Sequence, residues 1–257
     1  MKVVACYGIK GGVGKTSAAV NLAYLWAKSG RRTLLWDLDP QAAATFLFRV
    51  KPRVKGGAKG LVKANNPLDA HLKATDFENL DLLPADFSYR NLDLALGSTA
   101  KPTRRLRRLL RPLATRYDMV VLDCPPSVSL VSENVLEAAD VVAVPLVPST
   151  LSLRTFDQLA SFAEFRGRGS GQLVGFLSMV DRRRSMHRKL AEELPGEHPN
   201  ILSAYIPASS LVERMGEERA PVVTWAPRSA PARSYRALWA ALENLLQSGA
   251  GPSPKED

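Results

Sequence analysis

The segment Lys10-Gly11-Gly12-Val13-Gly14-Lys15-Thr16 constrains the fold of this chain more than any other. It follows a short apolar run, Val3–Tyr7, and opens a stretch of helical period, Lys15–Lys28. Strand, glycine loop, then helix is the context a phosphate-binding loop requires. Glycines let backbone N–H groups turn inward around phosphate oxygens, and the helix N-terminus adds partial positive charge. In such a loop Lys15 contacts the β- and γ-phosphates and the Thr16 hydroxyl is placed to ligate Mg²⁺. The strict pattern has Gly where this chain has Ile9, and the alternative reading is a glycine-rich turn without a ligand.

Beyond the loop, short apolar runs alternate with longer segments of helical period. That alternation predicts an α/β fold with a mostly parallel central sheet flanked by helices. The predicted strands are Val3–Tyr7, Thr33–Trp36, Leu80–Leu83, Met119–Leu122, Val141–Leu146, Leu173–Met179 and Ile201–Tyr205. Helices are predicted over Lys15–Lys28, Thr103–Arg116, Val131–Ala138, Arg154–Phe165, Met186–Leu194 and Ala232–Leu246. The Lys-, Gly- and Asn-rich stretch Lys51–Pro67 reads as an exposed excursion. With no linker-like break, residues 1–247 read as one domain and 248–257 as a flexible tail.

Two strand ends carry acids: Asp37 and Asp39 in Asp37-Leu38-Asp39-Pro40-Gln41, and Asp123 before Cys124-Pro125-Pro126. In a parallel sheet ligands bind at the carboxyl ends of the strands, so all three acids are expected near the loop. There an acid holds Mg²⁺ or orients an attacking water. Any one of them also fits a helix N-cap.

Composition narrows the partners. The 257 residues carry 35 Lys+Arg against 25 Asp+Glu, a net +10, which favours a polyanion, whether nucleic acid or an anionic membrane surface. No apolar run approaches the roughly 18 residues of a membrane span. The N-terminus has no signal-like region, so a cytoplasmic location is expected. Cys6 and Cys124 lie in apolar runs and read as buried thiols, while His71, His187 and His198 are scattered and read as surface residues. Three arginine groups stand out. Arg104–Arg111 alternates with leucines and reads as a solvated helix face or a polyanion contact. Arg182, Arg183, Arg184 and Arg188 follow a predicted strand, and Arg214, Arg219, Arg228, Arg233 and Arg236 lie near the C-terminus.

Together, Lys10–Thr16, DLDPQ at 37–41 and DCPPS at 123–127 resemble the ParA/MinD family of deviant Walker-A ATPases. Tyr205-Ile206-Pro207, ERAPVV at 218–223 and SYRALWAAL at 234–242 look like its ParA branch, and the resemblance covers nearly the whole chain. It implies a Mg²⁺-dependent ATPase in which Lys10 reaches across a homodimer to the partner subunit's nucleotide. It implies nucleotide contacts from Lys10, Gly11, Gly12, Val13, Gly14, Lys15, Thr16 and Ser17, with Asp181 and Pro207 near the base. Lys10, Lys15 and Asp39 take catalytic roles, Asp39 by positioning water, and Thr16, Asp37 and Asp123 form the metal side. Family behaviour further implies ATP-driven dimerisation, sequence-independent binding of double-stranded DNA and hydrolysis stimulated by a ParB-like or other adaptor. The arginines at 182, 183, 184, 188, 214, 219, 228 and 233 are then the DNA candidates, and the location is on the nucleoid.

The chain departs from many relatives at Gly8-Ile9 and at Ala42-Ala43. With the loop beginning at Lys10, a preceding helix-turn-helix domain and operator-specific repression are not expected. Two rival readings remain: a MinD-like membrane ATPase and a metabolic P-loop enzyme. The ending GAGPSPKED offers no amphipathic anchor, and no nucleophile constellation is evident.

Overall fold

Strands buried at every position can lie only inside a sheet covered on both faces. β2 (Thr33–Asp37), β5 (Met119–Asp123) and β6 (Val141–Leu146) are of this kind. In the computed structural model, which describes residues 1–62, 68–165 and 171–248, they sit within an eight-stranded sheet. The other strands are β1 (Lys2–Cys6), β3 (Lys73–Ala74), β4 (Leu80–Leu83), β7 (Gln172–Leu177) and β8 (Ile201–Leu202). The order is β3-β4-β2-β5-β1-β6-β7-β8, and all pairs are parallel except β3 with β4. The α/β sheet read from the sequence is therefore observed.

Helices cover both faces. They are α1 (Lys15–Lys28), α2 (Ala43–Leu47), α3 (Gly57–Val62), α4 (Leu92–Gly97), α5 (Arg105–Leu110), α6 (Leu130–Ala138), α7 (Thr150–Phe165), α8 (Ser185–Glu197), α9 (Ser210–Glu213), α10 (Met215–Glu218), α11 (Val222–Trp225) and α12 (Ala230–Ser248). One apolar layer joins α1, α2, α11 and α12 to Val4, Leu35, Val121 and Phe176. The opposite layer joins α3 to α7 with Val3, Leu34, Val120 and Val142. Alternate residues of each central strand thus point into different layers, as the pleat demands. Trp26 of α1, fully buried, anchors α12 by donating to Glu243 Oε2 at 2.9 Å, and Arg31 pairs with the same carboxylate.

Several sequence expectations need correction. The predicted Thr103–Arg116 helix is broken into a 3-10 turn, α5 and a second 3-10 stretch at Arg111–Thr115. Pro112 explains the break after α5, since it has no N–H to donate and its ring clashes with the preceding turn. The excursion at Lys51–Pro67 is not simply exposed: Val54, Ala58, Leu61 and Val62 are buried, the last three from α3. Residues 63–67 of that stretch lie outside the described residues. β7 stops at Leu177, because Met179 adopts a left-handed φ of 59°. The last strand is only Ile201–Leu202. His71 and His187 are buried rather than surface residues. Ser248 belongs to α12, and the rest of the predicted tail, 249–257, lies outside the described residues.

Candidate functional site

Strand register builds the site. Asp123 at the end of β5 pairs with Asp37 of β2 on one side and Cys6 of β1 on the other. Neighbouring strands lie about 4.8 Å apart, so the two acids come together where β1 runs into the glycine loop. The loop owes its path to two left-handed glycines, Gly12 with φ 70° and Gly14 with φ 98°. A Cβ on Gly14 would also stand 2.9 Å from Ser178 Oγ. Lys10, Gly11 and Gly12 are exposed, whereas Lys15 is buried and donates from Nζ to Lys10 O at 2.8 Å. Thr16 and Ser17 are half-buried in the first turn of α1.

The acids are held differently. Asp37 is fully committed: Oδ2 accepts from Thr45 N at 2.8 Å and Thr45 Oγ1 at 2.7 Å, and Oδ1 accepts from Asp39 N at 3.2 Å. Burial pushes its carboxyl up to about 6, partly offset by the Thr45 bonds. Asp123 is fully buried, and neither of its oxygens has a hydrogen-bond partner among the described residues. Burial, then the Asp37 carboxylate, hold it well above the usual carboxylate range. The Thr16 hydroxyl stands close enough to pull the titration back without reaching hydrogen-bond geometry, and Lys15 pulls the same way. Lys15 in turn is lowered by burial and raised by Asp123 and Asp39. Asp39 is half-buried, and its Oδ1 accepts from Gln41 N at 2.9 Å.

This arrangement fits a cation beside bound phosphates. A buried carboxylate without partners, next to a threonine hydroxyl, lacks a positive ligand. Among the described residues no group of three or more His, Cys, Asp or Glu forms a metal cluster, so a site here would be completed by phosphate and water. Mg²⁺ is bound in that way, with few protein ligands.

At the same end of the sheet, the segment after β7 brings Asp181 to the site's margin. Its carboxylate is held by Arg183, with Oδ1 to Nε and Oδ2 to Nη2 both at 2.9 Å, which keeps it down at about 2. Its N–H donates to His187 Nδ1 at 3.0 Å. Pro207 lies alongside, in a parallel bridge with Val180. Of the DNA candidates, Arg182, Arg184 and Arg188 are exposed, as are Arg228 and Arg233. Arg183 and Arg184, though exposed, both pair with Asp181; Arg214 pairs with Glu217 and Glu218, and Arg219 is bound to α2. Arg104 and Arg107 of the first arginine group pair with Glu137. The structure also assembles residues that no motif announced. Thr45 orients Asp37, Ser178 closes on Gly14, and the buried Tyr7 donates to Ser127 O at 2.7 Å, linking β1 to the segment after Asp123.

A family model described as an AAA domain matches residues 1–166. The chain is 33% identical over 248 residues to the chromosome partitioning protein ParA of Caulobacter vibrioides, covering 93% of this chain and 92% of that one. It is 30% identical to the sporulation initiation inhibitor protein Soj of Bacillus subtilis, covering 91% and 95%. Among solved structures, the cobyrinic acid a,c-diamide synthase of Mycobacterium smegmatis with bound ATP analog and magnesium superposes with a TM-score of 0.80. That pair is 28% identical and covers 98% of both chains.

Proposed function

The chain belongs to the ParA/MinD family of P-loop ATPases, and from that premise we propose that it is a nucleotide switch that binds DNA without sequence preference. ATP with Mg²⁺ is its nucleotide, as in the magnesium-bound relative at 28% identity. The observation that carries the reading is the pairing of an unpartnered, buried Asp123 with a glycine loop whose Lys15 holds the carbonyl of exposed Lys10.

In this reading Thr16 and Asp123 hold the Mg²⁺, and Asp37 supports them through Thr45. The cation supplies charge neutralisation at the β- and γ-phosphates. Lys15 exchanges its bond to Lys10 O for a phosphate oxygen, which frees the Lys10 backbone to move. Lys10, already exposed, then projects toward a second copy of the chain, where it neutralises phosphate charge only when two subunits meet. Asp39 orients the attacking water. The remaining nucleotide contacts are the backbone of Gly11 to Ser17, with Asp181 and Pro207 at the base. The dimer presents Arg182, Arg184, Arg188, Arg228 and Arg233 to DNA phosphates, which contribute position and affinity but no sequence information. An adaptor protein of the ParB kind resets the cycle by stimulating hydrolysis, and the protein resides on the nucleoid. No helix among the described residues is long and apolar enough to cross a membrane.

Light scattering tests the switch. Asp39→Ala protein with Mg-ATP is expected to run as a dimer, and adding Lys10→Ala is expected to return it to monomer. A monomer in the first case, with ATP hydrolysis by the unsubstituted protein that depends on an added small-molecule acceptor, would point instead to a metabolic P-loop enzyme.

A further inference from the structure

Arg219 was expected on DNA, yet its guanidinium is spent inside the protein. Nε and Nη2 both donate to Phe46 O, at 3.1 and 3.0 Å, and the guanidinium carbon lies 4.4 Å from the centre of the Phe46 ring. Phe46 belongs to α2, the five-residue helix whose first residue, Ala43, comes shortly after Asp39. Next to Phe46, α2 is fixed by Asp37 through Thr45, and at the helix start Ala42 N donates to Asp39 O at 2.9 Å. A second tie runs beside Arg219, from Arg49 Nη2 to Glu218 O at 3.2 Å. Arg219 itself sits at a left-handed φ of 49°, a strained backbone for a side-chain-bearing residue that persists only where its surroundings impose it.

The segment that Arg219 belongs to is also tied to the helix behind the glycine loop. Asn21, fully buried in α1, donates to Met215 Sδ at 3.4 Å and accepts from Val223 N at 3.2 Å. Arg214 stacks over Trp225 at 5.3 Å while pairing with Glu218 at 2.7 Å. Residues 214–225 are therefore joined to both elements that leave the nucleotide site, α1 and α2.

We propose that Arg219 and Phe46 form a latch through which the nucleotide-facing segment Asp39–Leu47 sets the position of residues 214–225, and so couples nucleotide state to Arg228 and Arg233, which follow that segment on the DNA-facing surface. The proposal rests on the functional reading above and recasts Arg219 as a positioning residue rather than a phosphate contact. A two-pronged bond to one carbonyl combined with ring stacking suits a planar guanidinium, and a lysine of equal charge cannot reproduce it. Charge and latch are thereby separable.

Hydrogen exchange on the full chain, with and without Mg-ATP, reads the latch directly. In the unsubstituted protein Mg-ATP is expected to change exchange across 214–225; in Phe46→Ala and in Arg219→Lys that difference is expected to shrink, with both variants melting cooperatively. Phe46 is 51% exposed, so its truncation spares the core. On DNA, the ATP-over-ADP ratio of affinities should fall on the order of tenfold in both variants, a usual scale for coupling between sites. The salt dependence in ATP should keep its slope. Three results overturn the latch: no nucleotide-dependent exchange in the unsubstituted protein; an unaltered difference in the variants; or an Arg219→Ala slope shallower by about 0.9 with Phe46→Ala silent, the mark of one lost phosphate contact. If the unsubstituted protein binds no DNA in any nucleotide state, the DNA reading fails and the exchange data alone decide the latch.

Discussion

Replacing Asp123 by Asn is expected to make the nucleotide-free protein more stable while abolishing its response to Mg-ATP. The carboxylate is fully buried, both oxygens lack a partner, and a second acid, Asp37, stands in register beside it. An unsatisfied buried polar group costs about 1–3 kcal/mol, and a charged one more. Removing the ionisable group and keeping the shape should therefore return about 2 kcal/mol at mildly alkaline pH, where ionisation of the buried carboxyl costs most, or about 4–8 °C in melting temperature for a chain of this size. The pH dependence has a definite sign. Burial pushes the Asp37 carboxyl up to about 6 in the folded chain, above the ordinary carboxylate range it has when unfolded, so between the two the folded state binds more protons than the unfolded one. Its contribution is fully present below the unfolded value and lost as pH rises through about 6. Asp123 is shifted the same way. Wild-type protein without nucleotide should thus melt higher at mildly acidic than at mildly alkaline pH, and Asp123→Asn should flatten that slope. Calorimetric melts with and without Mg-ATP measure both effects. A variant that melts below wild type yet still shifts upward with Mg-ATP would refute the idea that Asp123 is a buried charge awaiting a cation.

Three further predictions concern the neighbouring segment. Ala42 occupies a left-handed φ of 57° at the start of α2, so Ala42→Gly should relieve strain and stabilise by about 1 kcal/mol, read as a higher denaturant midpoint at unchanged slope. Thr45→Val keeps the side-chain shape but removes a 2.7 Å bond to Asp37 and leaves the Ala85 N–H without its 2.9 Å acceptor. It should destabilise by about 3 kcal/mol in the same assay, and a loss under about 1 kcal/mol would show that Asp37 finds another partner. Asp39→Ala should bind Mg-ATP as wild type does but hydrolyse it about 100-fold more slowly in a single turnover, the scale of a lost water-positioning group.

The parts of this molecule that were legible in the sequence are those where one short segment fixes both conformation and chemistry. Gly12, Gly14, Lys15 and Thr16 belong to a loop whose backbone and ligand chemistry are inseparable, and the helical period over Lys15–Lys28 coincides with α1. The central strands were read to within a residue or two because burial on both faces leaves an unbroken apolar run. The remainder depends on contacts distant in sequence. Thr45 reaches Asp37 across eight residues, Arg219 reaches Phe46 across 173, and neither pair has a pattern that a window of neighbours could reveal. α3 was hidden among lysines and glycines because only Ala58, Leu61 and Val62 mark its buried side. What each arginine engages was invisible for the same reason, since Arg183 on Asp181, Arg219 on Phe46 O and Arg182 on the Tyr205 hydroxyl differ only in what the fold sets beside them.

The measurement that bears most directly on the proposed switch is a salt titration of binding to two duplexes of unrelated sequence, in Mg-ATP and in Mg-ADP. Contacts from Arg182, Arg184, Arg188, Arg228 and Arg233 should make affinity fall steeply with salt, by about 0.9 logarithmic units per neutralised phosphate. The account predicts equal affinity for the two duplexes and markedly tighter binding in ATP, because dimerisation doubles the contacts on one surface. Strong preference for one duplex, equal binding in the two nucleotide states, or tighter binding to anionic liposomes than to DNA would contradict it.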